Sequence, residues 1–389
     1  MTEPEMSTSG RQRRRTIGLT AAFVASLALL WIGVAVLLDP SSITGMLVSI
    51  YDLAGLETQA GAIEARGLQR GFTRLITAVF ALLVGVGGIW FLFITGNAAI
   101  EASPSRLRRH LRPWLFITPA VTFLGIYLVF PLVETIRLSA TEDGGLFDNF
   151  RFVFTDPAMQ VAMRNNALWL LIGTTGSVVI GLLFAALVDR VKREAFAKSF
   201  IFLPMVISAV GAAVIWRFMY SWRPEGADQI GLLNAVWTTL GNEPVAFTQT
   251  MPWNNLFLIV IMIWIQTGFA MVVLSAALKG VPSELIEAGR IDGASEVQLF
   301  FRVVIPSIRG AIITVATTIF IVILKVFDIV FVMTGGRFET EVIANRMFSE
   351  MFRFRNFGRA SALAVVLLVA VIPIMVVNIR NLRRQGIGT

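Results

Sequence analysis

Long apolar runs alternate with short charged connectors along this chain, and the runs are continuous rather than alternating every second residue. A helix needs about 20 apolar residues to cross a bilayer core. Eight runs reach that length, at residues 17–38, 72–95, 114–136, 168–188, 199–220, 256–278, 311–333 and 361–379. The pattern predicts an all-α integral membrane protein with eight transmembrane helices. It disfavours a β-barrel, whose spans read as short alternating segments. The first run follows Arg13-Arg14-Arg15, as a signal peptide would. It exceeds the usual apolar length of such signals, and no small-x-small cleavage site precedes Asp39, so it is read as a retained helix. Pro119, Pro131, Pro204 and Pro373 fall in or beside runs, where proline kinks a helix.

The connectors set an orientation. Arg11 and Arg13 to Arg15, then Arg106, Arg108, Arg109 and Arg112, then Arg190, Lys192, Arg193 and Lys198, and finally Arg380, Arg383 and Arg384 all fall on one side of an eight-span chain. The excess of basic residues in cytoplasmic loops assigns that side to the cytoplasm, together with both termini. The 334–360 connector runs against the rule, with Arg337, Arg346, Arg353, Arg355 and Arg359. Residues 1–96 read as a tail and an extra helix pair, 97–112 as a basic cytoplasmic linker, 113–384 as a six-span core and 385–389 as a tail.

Composition agrees: 56% of residues are apolar and 15% charged, with a mean hydropathy of +0.75. A soluble fold carries nearer a quarter charged. The net charge of +8 does not point to nucleic acid, because the basic residues flank apolar runs instead of forming one basic domain. There is no cysteine and one histidine, His110, which leaves no material for thiolate or histidine metal sites or for a catalytic triad. No G-x-x-x-x-G-K-[ST] occurs, so ATP hydrolysis by a P-loop is not expected in this chain. No catalytic residue, metal or cofactor is expected.

One connector is built too carefully to be slack. Residues 283–308 read SELIEAGRIDGASEVQLFFRVVIPSI. Ser283 is placed to cap a helix starting at Glu284. Asp292-Gly293 interrupts that helix. Ser295 and Gln298 fit the capping box of a second short helix. Phe300, Phe301, Val303 and Val304 lead back toward the membrane, with Pro306 ahead of the next span. The expected product is helix, sharp turn, helix, presenting a firm surface either to a soluble partner or to lipid head groups. Glu284, Glu287, Asp292 and Glu296 argue against simple attachment to anionic lipid.

The same residues resemble the EAA loop of the membrane-spanning permease subunits of ABC importers, E-A-A-x3-G-x9-I-x-L-P. Here Glu287, Ala288, Gly289, Gly293, Val303, Ile305 and Pro306 match every spacing, with Gly289, Val303 and Ile305 as small departures. Over about residues 113–384 the chain looks like the maltose-type sugar branch of the binding-protein-dependent transport family. FDIVFVMTGGRFETEVI, residues 327–343, is similar to that branch's F-D…T-G-G-G-P segment, with Arg337-Phe338 in place of Gly-Pro. GRASALAVVL, residues 358–367, is similar to its entry to the last span. The resemblance implies a six-helix type I importer core in a bacterial or archaeal cytoplasmic membrane. It also implies a second homologous permease subunit, a cytoplasmic ABC ATPase dimer that binds ATP and Mg, an extracytoplasmic sugar-binding protein and a di- or oligosaccharide substrate, best guessed as an α-glucoside. Nucleic acid is not an expected partner; membrane lipid is. The loop residues implied in ATPase coupling are Glu287, Ala288, Gly289, Asp292, Gly293, Ala294 and Pro306, with Glu287 making the polar contact and Gly293 permitting the bend.

For the solute, the resemblance implies contacts from the middle of the spans before and after the loop, and counting outward from the loop gives Met262, Ile265, Gln266 and Phe269 before it. Their spacing puts them on one helical face. After the loop it implies Ile319, Val322, Ile323 and Asp328. Met262, Gln266, Phe269, Ile323 and Asp328 are the candidate substrate-pathway residues. Lys325 and Asp328 lie three apart, near enough on a continuous helix to pair. Either they and Gln266 serve the pathway or they fix helix packing. The alternative function is a self-contained secondary transporter driven by an ion gradient, for which inverted repeats and midplane charges would be expected.

Overall fold

The structure, a computed structural model, describes residues 67–101, 105–189 and 191–384, with six scattered positions between 18 and 28. The expected span at 17–38 and the tail at 385–389 lie almost wholly outside the described residues. The chain divides into two compact units, Met1–Pro131 and Leu132–Thr389.

All the regular elements among the described residues are helices. In the first unit α1 is Gly67–Glu101, and α2, Ser105–Leu124, continues through a π-turn, Gly125–Val129, into α3, Phe130–Thr141, most of which falls in the second unit. In the second, α4 is Gly145–Thr155. A long span follows, made of α5, Pro157–Leu168, a π-turn, Trp169–Gly173, and α6, Thr174–Val188. Asp156 caps α5 through the Ala158 and Met159 amides, with Pro157 at the first helical position. That proline is tolerated because the amide it lacks would have no intrahelical partner there. Next come α7, Glu194–Val206, and α8, Ala209–Met219, then the short α9, Leu232–Thr239, and α10, Asn254–Lys279. The connector holds α11, Ser283–Ile291, and α12, Glu296–Leu299. A π-turn, Phe300–Val304, and α13, Ile305–Ser307, complete it. The chain ends with α14, Arg309–Leu324, α15, Asp328–Met333, α16, Ile343–Phe348, and α17, Phe357–Arg384.

Four stretches are long and apolar enough to cross a membrane: Arg108–Thr141, Pro157–Val188, Asn254–Lys279 and Phe357–Arg380. Two bent pairs raise the number to six if each is one span: α7 with α8, bent by 99°, and residues 296–307 with α14, bent by 69°. The eight continuous helices expected from the apolar runs are therefore not all continuous. The 199–220 run breaks after Pro204, where Ile207 and Ser208 turn extended and the Ser208 hydroxyl accepts from the Gly211 amide at 3.1 Å to start α8. The 311–333 run breaks at Lys325–Phe327. Averaged hydropathy does not register either break, because Ser208 and Lys325 are single polar residues inside otherwise apolar runs.

The core of the second unit is where α5–α6, α10 and α14 meet around Trp169, Ile259, Met271, Ile319 and Ile323, all buried. Helix α10 is apolar all round, the mark of a helix inside a bundle. Gly268 on α10 lets α7 approach: a Cβ there would meet Phe202 Cα at 2.8 Å and the Ile201 carbonyl at 2.9 Å. A second cluster joins α4, α5, α16 and α17 around Phe152, Val153, Met159 and Leu363. Two of the arginines that run against the charge rule belong to it. Arg346 pairs with the buried Glu350 at 2.8 Å, and both Arg346 and Arg359 lie over the Phe152 ring, at 5.5 and 4.4 Å.

Candidate functional site: a capped connector and a mid-bundle cavity

The connector after α10 is rigid for local reasons. Helix α11 starts at Ser283, with Pro282 before it and no side-chain cap, so Ser283 does not cap as the sequence suggested. The helix ends in a Schellman motif, with the Ala294 amide donating to the Gly289 carbonyl and the Gly293 amide to the Arg290 carbonyl, each at 3.0 Å. Gly293 sits at φ +79°, a left-handed conformation that favours glycine. Ser295 and Gln298 then form the expected capping box: Ser295 Oγ accepts from the Gln298 amide at 3.3 Å, and Gln298 Oε1 accepts from the Ser295 amide at 2.9 Å. Arg290 on α11 holds Glu296 on α12 at 2.9 Å. Leu299 is buried where a Cβ on Gly289 would lie 2.4 Å from Leu299 Cδ2. The glycine that departs from the EAA pattern is thus the seat of Leu299, and it draws the two helices together.

Glu287, Ala288, Asp292, Gly293 and Pro306 are exposed on this connector, while Gly289 and Ala294 are half-buried. Leu285, Ile291, Val297 and Phe301 stand in the open beside them, Ile291 at 86% exposure. Acidic and apolar groups on a fixed frame form a surface made for contact.

A polar network ties the root of the connector to two other helices. Lys198 on α7 bonds Asp189 at 2.7 Å, at the end of α6, and Glu194 at 2.5 Å, at the start of α7. Lys279, the last residue of α10, reaches the same Glu194 at 2.5 Å. Ser275 of α10 donates to Asp189 at 2.7 Å and also contacts Lys198. With the Gly268 approach, α7 and α10 are fastened at two levels.

Those two helices wall a cavity of about 280 Å3. Met205, Ile207 and Ala209 line it from the α7–α8 break. Met262, Ile265 and Gln266 line it from α10, and Val322, Lys325, Phe327 and Asp328 from the α14–α15 break. Gln266 is 8% exposed and makes no hydrogen bond among the described residues. Of the five pathway candidates, Met262, Gln266 and Asp328 meet here. Phe269 is half-buried and packs on the core, and Ile323 is wholly buried, its Cδ1 2.8 Å from where a Cβ on Gly173 would stand.

Lys325 and Asp328 do not pair, because no continuous helix joins them. Helix α14 ends at Leu324, whose carbonyl accepts from Asn166 Nδ2 at 3.1 Å instead of from the next turn. Lys325 is exposed and Asp328 half-buried, each without an ion pair among the described residues. Sequence reasoning missed Met205, Ile207 and Ala209. Pro204 was the signal that could have found them, since a proline kink inside a bundle frees backbone beside a cavity.

The far end of the second unit is fixed by asparagines. Asn165 Nδ2 donates to the Glu339 and Glu341 carbonyls at 2.7 and 2.8 Å, and Asn254 Nδ2 to the Phe338 carbonyl at 2.6 Å. They hold Phe338 and Glu339 at positive φ, both +57°, and Phe338 is the second of the two residues that stand where the resembled pattern carries Gly-Pro. Burial raises the Glu341 carboxyl above its usual range, against hydrogen bonds from Asn345 and the Val342 amide that favour the charged form.

Comparison with known proteins follows this geometry. Residues 150–384 match the family described as the binding-protein-dependent transport system inner membrane component. The osmoprotective compounds uptake permease protein GgtC of Synechocystis sp. is 54% identical over 275 residues, covering 70% of this chain and 99% of that protein. The alpha-glucoside transport system permease protein AglF of Rhizobium meliloti is 49% identical over 295 residues, covering 75% of this chain and 88% of that one. Among solved structures, a chain of a bacterial alginate ABC transporter in complex with an alginate pentasaccharide-bound periplasmic protein aligns with a TM-score of 0.62 at 21% identity. It covers 72% of this chain and 96% of that chain, and shares the fold. The chain belongs to the binding-protein-dependent transport system inner membrane component family, a helical membrane permease.

Proposed function

We propose that this chain is one of two permease subunits of an ATP-driven sugar importer and that its solute is an α-glucoside or an osmoprotective compound. The names of its relatives AglF and GgtC support that solute class. The observation that carries the coupling reading is the connector: two short helices, capped and cross-tied, with exposed Glu287 and Gly293, rooted by Lys279 in the α6–α7–α10 network. A cytoplasmic ATPase dimer grips α11 through this surface. Its closure moves α10, and α7 follows because the two are fastened at Lys198 and Gly268. The cavity lies between these moving helices and the α14–α15 break. Nucleotide shifts the balance between outward- and inward-open states only through its different affinity for the two.

In the cavity, the Gln266 amide and the Asp328 and Lys325 side chains supply donors and acceptors for sugar hydroxyls, while Met205, Met262 and Val322 cover ring carbons. An extracytoplasmic binding protein delivers the solute to the opposite face, and both termini lie in the cytoplasm with the basic connectors.

The test is reconstitution of the chain with its partner permease, ATPase and binding protein in proteoliposomes. Labelled α-glucoside uptake should require all the components and ATP, and Glu287→Ala should lower uptake and nucleotide turnover together. Uptake by this chain alone, driven by an ion gradient, would overturn the reading.

A further inference from the structure

Beyond marking the cytoplasmic side, the basic stretch at the start of α2 has no part in the proposed transport cycle. Between Glu101 and Glu134 the chain has no acidic residue, yet Arg106, Arg108, Arg109, His110 and Arg112 crowd into seven positions. Arg108 is engaged by backbone, its Nη2 donating to the Glu101 carbonyl at 2.6 Å. Arg109 and Arg112 are exposed and form no ion pair among the described residues. Guanidinium groups three and four positions apart on a helix face one another, so their charges repel unless an anion lies between them.

A cavity of about 490 Å3 lies where such an anion would sit, lined by Arg108, Arg109, Arg112, Pro113 and Phe116. Its lining changes character within about one helical turn, from three guanidinium groups to an aromatic ring. Around Phe116 the helix is apolar and largely open. Trp114 is 65% exposed, Phe116 55% and Ile117 49%, and none of the apolar window of the Arg108–Thr141 stretch is buried. A ligand that satisfies both halves carries an anionic head and an apolar tail. The guanidinium fork matches phosphate oxygens two at a time, and an aromatic indole beside it suits the membrane–water boundary.

The geometry points to a binding site for the phosphate head group of an anionic phospholipid, formed by Arg108, Arg109 and Arg112, with an acyl chain lying along Phe116 and Ile117. Inorganic phosphate shares the head-group chemistry but lacks the tail, and the tail's contacts distinguish the two.

The full-length chain in nanodiscs of mixed phosphatidylglycerol and phosphatidylcholine, released into detergent and weighed by native mass spectrometry, tests this. Phosphatidylglycerol should be retained in preference to phosphatidylcholine. Arg109→Gln with Arg112→Gln should weaken its retention by about fivefold per arginine removed. Arg109→Lys with Arg112→Lys should fall between the wild type and the double Gln variant, since the charge persists and the fork is lost. Millimolar inorganic phosphate should leave the lipid in place. Unchanged retention in the double Gln variant, or displacement by inorganic phosphate, would overturn the assignment. If that variant does not fold, the wild-type chain decides: sodium chloride should release phosphatidylglycerol progressively, and salt-independent retention would equally contradict the site.

Discussion

Gln266 separates function from stability at a single residue. Its amide is buried, faces the cavity and bonds no described residue, so the folded chain does not depend on it. Gln266→Met should leave the melting temperature of the purified chain unchanged or slightly higher. It should lower uptake by about tenfold, the worth of a hydrogen bond or so to the solute. A fall in stability with uptake intact would place Gln266 in packing. Gly293 behaves in the opposite way. At φ +79° a Cβ meets no atom within 4 Å, so only backbone strain opposes substitution. Gly293→Ala should destabilise the connector by about 1–2 kcal/mol, read as faster amide exchange in residues 283–299. Gly268→Ala, by contrast, drives a Cβ into the Phe202 backbone and should separate α7 from α10, read as loss of uptake from a chain that still inserts. Among these residues, Gly293 was legible from Asp-Gly between two capped segments. Gly268 was not, because nothing in its own neighbourhood in the sequence names Phe202 as its partner.

The elements show which signals were local. The capping box at Ser295–Gln298 and the bend at Asp292-Gly293 stood in the sequence because each is completed within six residues. The break between α14 and α15 did not. It is sustained by Asn166, 158 positions before the Leu324 carbonyl it serves, so the sequence offered Lys325 and Asp328 as a pair on one continuous helix. Asn166→Ala should leave that carbonyl without its donor and destabilise the second unit by about 1–3 kcal/mol, measurable by thermal unfolding. The 334–342 connector is also held from afar, by Asn165 and Asn254, and it carries a pH dependence through Glu341. Burial raises the folded-state pKa of Glu341 above the ordinary value near 4.5, so the folded form binds the proton more tightly than the unfolded form. Its stabilising contribution is then complete below that ordinary value and is lost as pH rises through the raised one. Glu341→Gln should flatten this part of the stability–pH curve, and a curve of unchanged slope would contradict the burial argument.

At the scale of the whole molecule, apolar run length gave the class of fold, and the EAA spacing gave the family. The cavity needed three elements brought together, two of them broken spans, and only Pro204 hinted at either break. In the proposed mechanism the Lys198 network carries the coupling, because it fastens the connector's root to the helix that walls the cavity. Lys198→Met should lower solute imported per ATP consumed more than it lowers ATP consumption, with Lys198→Arg restoring part of the ratio. The central claim, that the exposed connector is gripped by the ATPase, has a direct probe. The chain contains no cysteine, so Glu287→Cys introduces a unique one. Cross-linking this position to the ATPase in inside-out membrane vesicles should succeed, with a yield that changes on adding nucleotide. Labelling of the same cysteine only from the extracytoplasmic side, with no cross-link under any nucleotide condition, would contradict the account.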